Sequence, residues 1–173
     1  QAPLGEFGLE HPSYRYLRTI HSFLADFGSN LALMETVLPE GWEKMTPENR
    51  DDLRYAARMK DDSGFIFMIN FQDHDTLRHD MDALQLQLNL RNETLCIPEQ
   101  GTFTLPKDES MILPFNLMLG SARLRYATAQ PLMKINDNGI DHYIFFAPEG
   151  MKPEYCFDAR TVKGKAKYAV TSG

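Results

Sequence analysis

From Leu53 to Phe157 the chain reads as a series of short apolar runs cut apart by turn residues, and nothing else in it restricts the fold as much. Leu84, Leu86, Leu88 and Leu90 alternate with Gln85, Gln87 and Asn89, a period of two that describes a strand with one wet, uncharged face. Residues 65–71 are apolar at both alternating sets of positions, which suits a central strand covered on both sides. Further strand-sized segments lie at 53–58, 102–105, 110–119, 122–127, 132–135, 142–147 and 154–157. Asp61–Gly64, Pro106–Asp108, Gly120-Ser121, Asn136–Gly139 and Pro148–Gly150 punctuate them, and Asn138-Gly139 is the strongest hairpin signal. Many short strands so spaced predict an antiparallel sandwich or barrel rather than βαβ units. The expected class is mainly β, an antiparallel β-sandwich at 53–173 preceded by one amphipathic α-helix.

The spacing predicts that helix over about Pro12 to Phe27. Ser13 is the expected N-cap, Gly28 the expected C′ residue, and Tyr16, Leu17, Ile20, Phe23, Leu24 and Phe27 recur at three- and four-residue intervals. A stripe with two Phe and a Tyr needs a large surface over it, supplied either by the sandwich that follows or by a further domain. Residues 29–52, broken by Leu38–Gly41 and Thr46–Glu48, read as a polar, acidic linker lying on a surface. The linker holds the only tryptophan, Trp42, which either stacks on a sugar or anchors the linker. Residues 1–28 lack an initiator Met and a secretory leader, so the chain is expected to be an excised piece of a longer protein. The last stretch, Val162 to Gly173, reads as an edge strand or a cut end.

A net charge of -6 and a pI near 5.3 argue against phosphate-backbone binding, and only the thin Lys163–Lys167 stretch is basic. Nucleic acid is not an expected partner. No window approaches the roughly 20 apolar residues that a membrane helix needs, so no membrane partner is expected either. Cys96 and Cys156 can pair or can be two buried thiols, and one pair does not diagnose an oxidising compartment. Asn92-Glu-Thr94 fits the N-glycosylation pattern, which is too short to carry weight.

The densest polar cluster is Gln72–Asp82, with His74 and His79 among four aspartates. Its spacing fits no zinc or EF-hand pattern, and a solvated loop between strands is the expectation. A retaining glycosidase needs two carboxylates facing each other about 5 Å apart. Glu6, Glu10, Glu99, Glu109, Glu149 and Glu154 fall mostly in turns or at strand ends, with nothing to mark a pair. The G-x-S-x-G, Walker, G-x-G-x-x-G and H-E-x-x-H motifs are absent, and His11, His21 and His142 have no visible partners. No catalytic residue, cofactor or metal is therefore expected within the chain, and Trp42 is the one candidate sugar contact.

Several stretches carry a resemblance. Ala2–Glu6 resembles the Asp-Ala-Pro-x-x-Glu segment that ends the last barrel strand in family-35 glycoside hydrolases of the β-galactosidase type. Residues 63–71, 112–116, 124–132 and 143–147 resemble the β-domain that follows the barrel in larger bacterial members. The resemblance implies that Gln1 to about Phe27 is the final βα-loop and last helix of a (β/α)8 barrel, near its active-site rim. It also implies that the acid/base and nucleophile glutamates sit on earlier strands, upstream of Gln1. Gln1 stands where the family usually has Asp, and Glu6 matches the family's glutamate, for which a structural role is expected. The expectation is a non-catalytic β-sandwich accessory domain of a secreted or periplasmic retaining glycoside hydrolase. Its partners would be the catalytic barrel of the same polypeptide and that enzyme's carbohydrate substrate. The alternatives are a carbohydrate-binding module and a homo-oligomerisation domain.

Overall fold

The computed structural model describes residues 2–76 and 78–163. Helix α1 spans Pro12–Ala32, and the strands are β1 (Glu35–Val37), β2 (Arg54–Lys60), β3 (Ser63–Ile69), β4 (Met81–Leu84), β5 (Leu86–Asn89) and β6 (Thr94–Ile97), then β7 (Phe103–Leu105), β8 (Ser110–Leu119), β9 (Ala122–Ala127), β10 (Gln130–Asp137), β11 (Ile140–Phe146) and β12 (Tyr155–Phe157). A six-stranded antiparallel sheet runs in the order β1-β2-β3-β8-β9-β12, and β4-β7, β5-β6 and β10-β11 form two-stranded ribbons. The architecture is the expected antiparallel β-sandwich with one helix.

The central strands explain the layers. Along β3, Ile66 and Met68 point to one face and Phe65 and Phe67 to the other, because successive side chains alternate across a sheet. The first face packs against Met81, Leu86, Leu95, Ile97, Phe103 and Leu105 from the ribbons β4-β7 and β5-β6. The second is covered by α1 through Phe23 and Phe27, and by Tyr143 from the ribbon β10-β11. In β8, Met111, Leu113 and Phe115 serve the first core, yet Leu117 packs with the helix. Asn116 lies between them in the left-handed region, φ 49°, and this irregularity exchanges the faces of the strand.

Helix α1 runs further than expected. His11 is its N-cap, without a side-chain bond, and Pro12 holds the first position, so Ser13 is not the cap. Gly28 lies inside the helix rather than beyond its end. A glycine costs about 1 kcal/mol in a helix interior, and Leu31 of the last turn and Met34 just beyond it offset this by packing on the second core. No basic residue of α1 itself occupies that last turn. Arg58 of β2 takes the role, donating from Nη2 to the Leu31 carbonyl at 3.1 Å and from Nε and Nη2 to the Met34 carbonyl at 3.2 and 2.6 Å.

The stretch read as a linker, 29–52, therefore holds the end of α1, then β1 paired antiparallel to β2, then a 3-10 turn at Trp42–Lys44. The single strand expected over 84–90 is divided at Gln85. Ala83 adopts φ 56°, β4 pairs with β7 and β5 with β6, so the chain changes partner there. The hairpin at Asn138-Gly139 has φ 50° and 83°, the left-handed pair that a type I′ turn requires. Among the described residues, no helix is long and apolar enough to cross a membrane. The edge strand or cut end expected from Val162 to Gly173 lies mostly outside the described residues.

Candidate functional site

A groove of about 810 Å³ lies between the first half of α1 and the ends of β3 and β8. Tyr16 and Ile20 form its helical wall, and Phe67, Phe71 and Phe146 contribute three more rings or ring edges. Phe71 and Tyr16 are exposed, so the groove presents aromatic surface to solvent. Asp108, Glu109 and Ser110 stand at its mouth at the start of β8. Gln130 closes the far side, buried, its Oε1 accepting from the Ile112 N–H at 2.9 Å.

Asn70 positions that mouth. Its N–H donates to the Glu109 carbonyl at 2.9 Å, and its own carbonyl accepts from the Asp108 N–H at 3.0 Å. The Asn70 side chain, fully buried, donates Nδ2 to the carbonyls of His79, Leu105 and Pro106 at 2.9–3.1 Å. Its Oδ1 accepts from Nε of the buried Arg78 at 3.0 Å. The segment 72–82, expected as a solvated loop, is thus pinned from below by Asn70 and Arg78, and Asp75 accepts from Arg50 Nε at 2.8 Å. Periodicity carried no sign of this, since Arg78 reads as one more loop charge.

The histidines of that segment point apart. His74 Nε2 lies 3.4 Å from its neighbour Asp73, and His79 Nε2 lies 3.5 Å from Asp51, all on the surface. Among the described residues no group of three His, Cys, Asp or Glu side chains is placed to hold a metal ion.

Glu93, Glu99 and Glu154 are held by structural partners. Glu154 accepts a hydrogen bond from the Tyr126 hydroxyl, which in turn accepts from the Glu99 N–H at 2.9 Å. Burial first, and then the Glu154 carboxylate, push the Tyr126 phenol well above its ordinary range. Arg125 Nη2 bridges Glu93 and Glu99 at 3.0 and 3.4 Å. Glu6 and Glu10 are exposed in the N-terminal loop, and Glu149 in a turn. The two thiols, Cys96 and Cys156, are free and half-buried, and burial pushes the Cys156 thiol up.

Trp42 is 53% exposed and lines none of these cavities. A second, shallower trough of about 400 Å³ is walled by Leu119, Tyr143, Phe145, Tyr155 and Phe157, with Phe145 and Tyr155 in edge-to-face contact at 5.5 Å. The N-terminal loop closes on itself through His11 N–H to the Pro3 carbonyl and Gly5 N–H to the Leu9 carbonyl, at 3.0 and 2.8 Å. At its tip Phe7 takes φ 62° and is 99% exposed. The chain matches no family model and has no significant match to a curated protein sequence.

Proposed function

We propose that the chain is a non-catalytic β-sandwich accessory domain of a secreted or periplasmic retaining glycoside hydrolase of the β-galactosidase type, docked on that enzyme's catalytic barrel through α1 and the N-terminal loop. One observation carries this reading beyond the resemblance: the helix has two apolar flanks. Phe23 and Phe27 are buried in the sandwich, whereas Leu17 and Leu24, two turns apart on a line about 100° away, stay exposed together with Leu4, Phe7 and Leu9. A helix shared between two bodies needs such a second flank, and a closed loop that holds Phe7 outward fits an anchor for a pocket on the other body.

Footprinting with hydroxyl radicals tests this. Phe7, Leu17 and Leu24 are expected to react in the 173-residue chain and to be protected in a longer polypeptide that includes the barrel; equal reactivity in both sinks the reading. The domain alone is expected not to hydrolyse an aryl β-galactoside. Hydrolysis abolished by Glu109→Gln or Glu154→Gln would overturn the non-catalytic assignment.

A second reading, a carbohydrate-binding module, is favoured by the groove rather than by Trp42. Tyr16, Phe71 and Phe146 beside Asp108, Glu109 and Gln130 combine ring faces with hydrogen-bonding groups, the mixture that a sugar needs. Saturable binding of galactose or galactan oligosaccharides, lost in Phe71→Ala, would establish it over a purely supporting role.

A further inference from the structure

The corner below the 72–82 loop holds a buried guanidinium without an ion pair. Arg78 is 3% exposed, and while its Nε is bound to Asn70, neither Nη1 nor Nη2 has a hydrogen-bond partner. Among the described residues it forms no ion pair. The carboxylates that act on it from further off are Asp75 and Asp108, and Asp75 is already bound by Arg50 at 2.8 Å. Arg54 brings another guanidinium to the same corner, its Nη2 directed at the carbonyls of Thr46 and Pro47 at 3.3 Å. Arg54 and Arg50 thus oppose the charge of Arg78, and Asp75 and Asp108 offset it only from beyond ion-pair distance. Burial, and then the charge of Arg54, weaken the hold of Arg78 on its proton.

An open cleft of about 520 Å³ adjoins this corner, lined by Thr46, Arg54, Gln72 and Asp73. Gln72 Oε1 is buried there without a partner, so three of the four such side-chain atoms among the described residues belong to Gln72 and Arg78. Water would satisfy the hydrogen bonds of the guanidinium and leave it without an ion pair in a poorly solvated place. An anion does both.

We propose that this corner binds a small oxyanion, a carboxylate or a phosphate, gripped by Nη1 and Nη2 of Arg78 and admitted through the cleft beside Arg54 and Gln72. The planar fork of a guanidinium matches two oxygens of such a group in a bidentate pair. Rotation of the Gln72 amide about its last torsion replaces the unpaired acceptor with an N–H donor toward the same anion. The inference stands independently of the accessory-domain reading.

The test is thermal unfolding of the 173-residue chain in sodium acetate, sodium phosphate and sodium chloride at one ionic strength. The midpoint is expected to rise saturably with acetate or phosphate and not with chloride, and the salt with the larger rise identifies the class. Arg78→Lys keeps a cation but loses the fork, and is expected to weaken binding by about tenfold. Arg54→Gln, at the half-buried entrance, is expected to weaken it while leaving the fold in place, and it carries the test if Arg78→Lys does not fold. Equal responses to the three salts, an unaltered response in Arg54→Gln, or a crystal grown in acetate or phosphate with only water on Nη1 and Nη2 would overturn the proposal.

Discussion

At the scale of single residues, two places in the fold are sensitive to substitution. Gly64 lies where β3 leaves its hairpin with β2, and a Cβ there would collide with the Arg58 carbonyl oxygen and meet the Met59 Cα at 2.8 Å. Backbone atoms cannot retreat as a side chain can, so Gly64→Ala is expected to cost more than about 2 kcal/mol, read from chemical denaturation. An unchanged midpoint would show that the hairpin opens at little cost. Tyr126 is the other place, because its hydroxyl both donates to Glu154 and accepts from the Glu99 N–H. Tyr126→Phe removes both bonds at once and is expected to destabilise by about 1–3 kcal/mol, since Tyr126 itself is buried. In the wild type, ultraviolet titration should find one tyrosine ionising far above the rest, in keeping with its raised pKa.

At the scale of elements, the ends of α1 and the edge strand β12 depend on charges from elsewhere. Arg58 caps the last turn of the helix from β2, so Arg58→Met, which keeps the aliphatic stem, is expected to lose about 1.5–3 kcal/mol. Hydrogen exchange should then speed up over residues 28–34 in particular. After β12 the chain turns on Asp158, whose N–H donates to the Arg123 carbonyl and whose carboxylate accepts from the Arg160 side chain and N–H. Those bonds, the Arg160 side chain first, hold the Asp158 carboxyl down at about 2. A depressed folded pKa means that the contribution is present above the ordinary carboxylate range and disappears as pH falls through about 2. NMR titration should place this carboxyl well below the usual carboxylate range, and Arg160→Ala should return it toward the usual value of about 3.9.

At the scale of the whole molecule, the sandwich and the helix form one packed unit, with the aromatic cluster of Phe23, Phe27, Phe65 and Phe67 at the joint. Phe23→Ala opens a cavity inside it and is expected to cost about 3–5 kcal/mol. The pair Leu17→Ser and Leu24→Ser, on the open flank, is expected to stay within about 0.5 kcal/mol each in the same denaturation experiment. A large loss there would mean that the second flank already serves the domain. Much of this unit was legible in the residues. Alternation and turn chemistry gave the strands and the Asn138-Gly139 hairpin, because period-two patterns and left-handed turns are local consequences of backbone sterics. The stripe of α1 was legible for the same reason, but its end was not, since Gly28 is kept helical by Arg58 and by packing from distant residues. Strand β1 has no buried side chain to betray it, and it exists only because β2 offers backbone partners. The groove gave no sequence signal, for its walls come from α1, β3, β8, β10 and β11. Sequence alone thus determined the mainly β class and the amphipathic helix, which follow from local periodicity. Only tertiary structure decided which flank of the helix is buried, that the 72–82 loop rests on Asn70 and Arg78, and where aromatic rings and carboxylates meet, because each is settled by contacts between segments far apart in the chain.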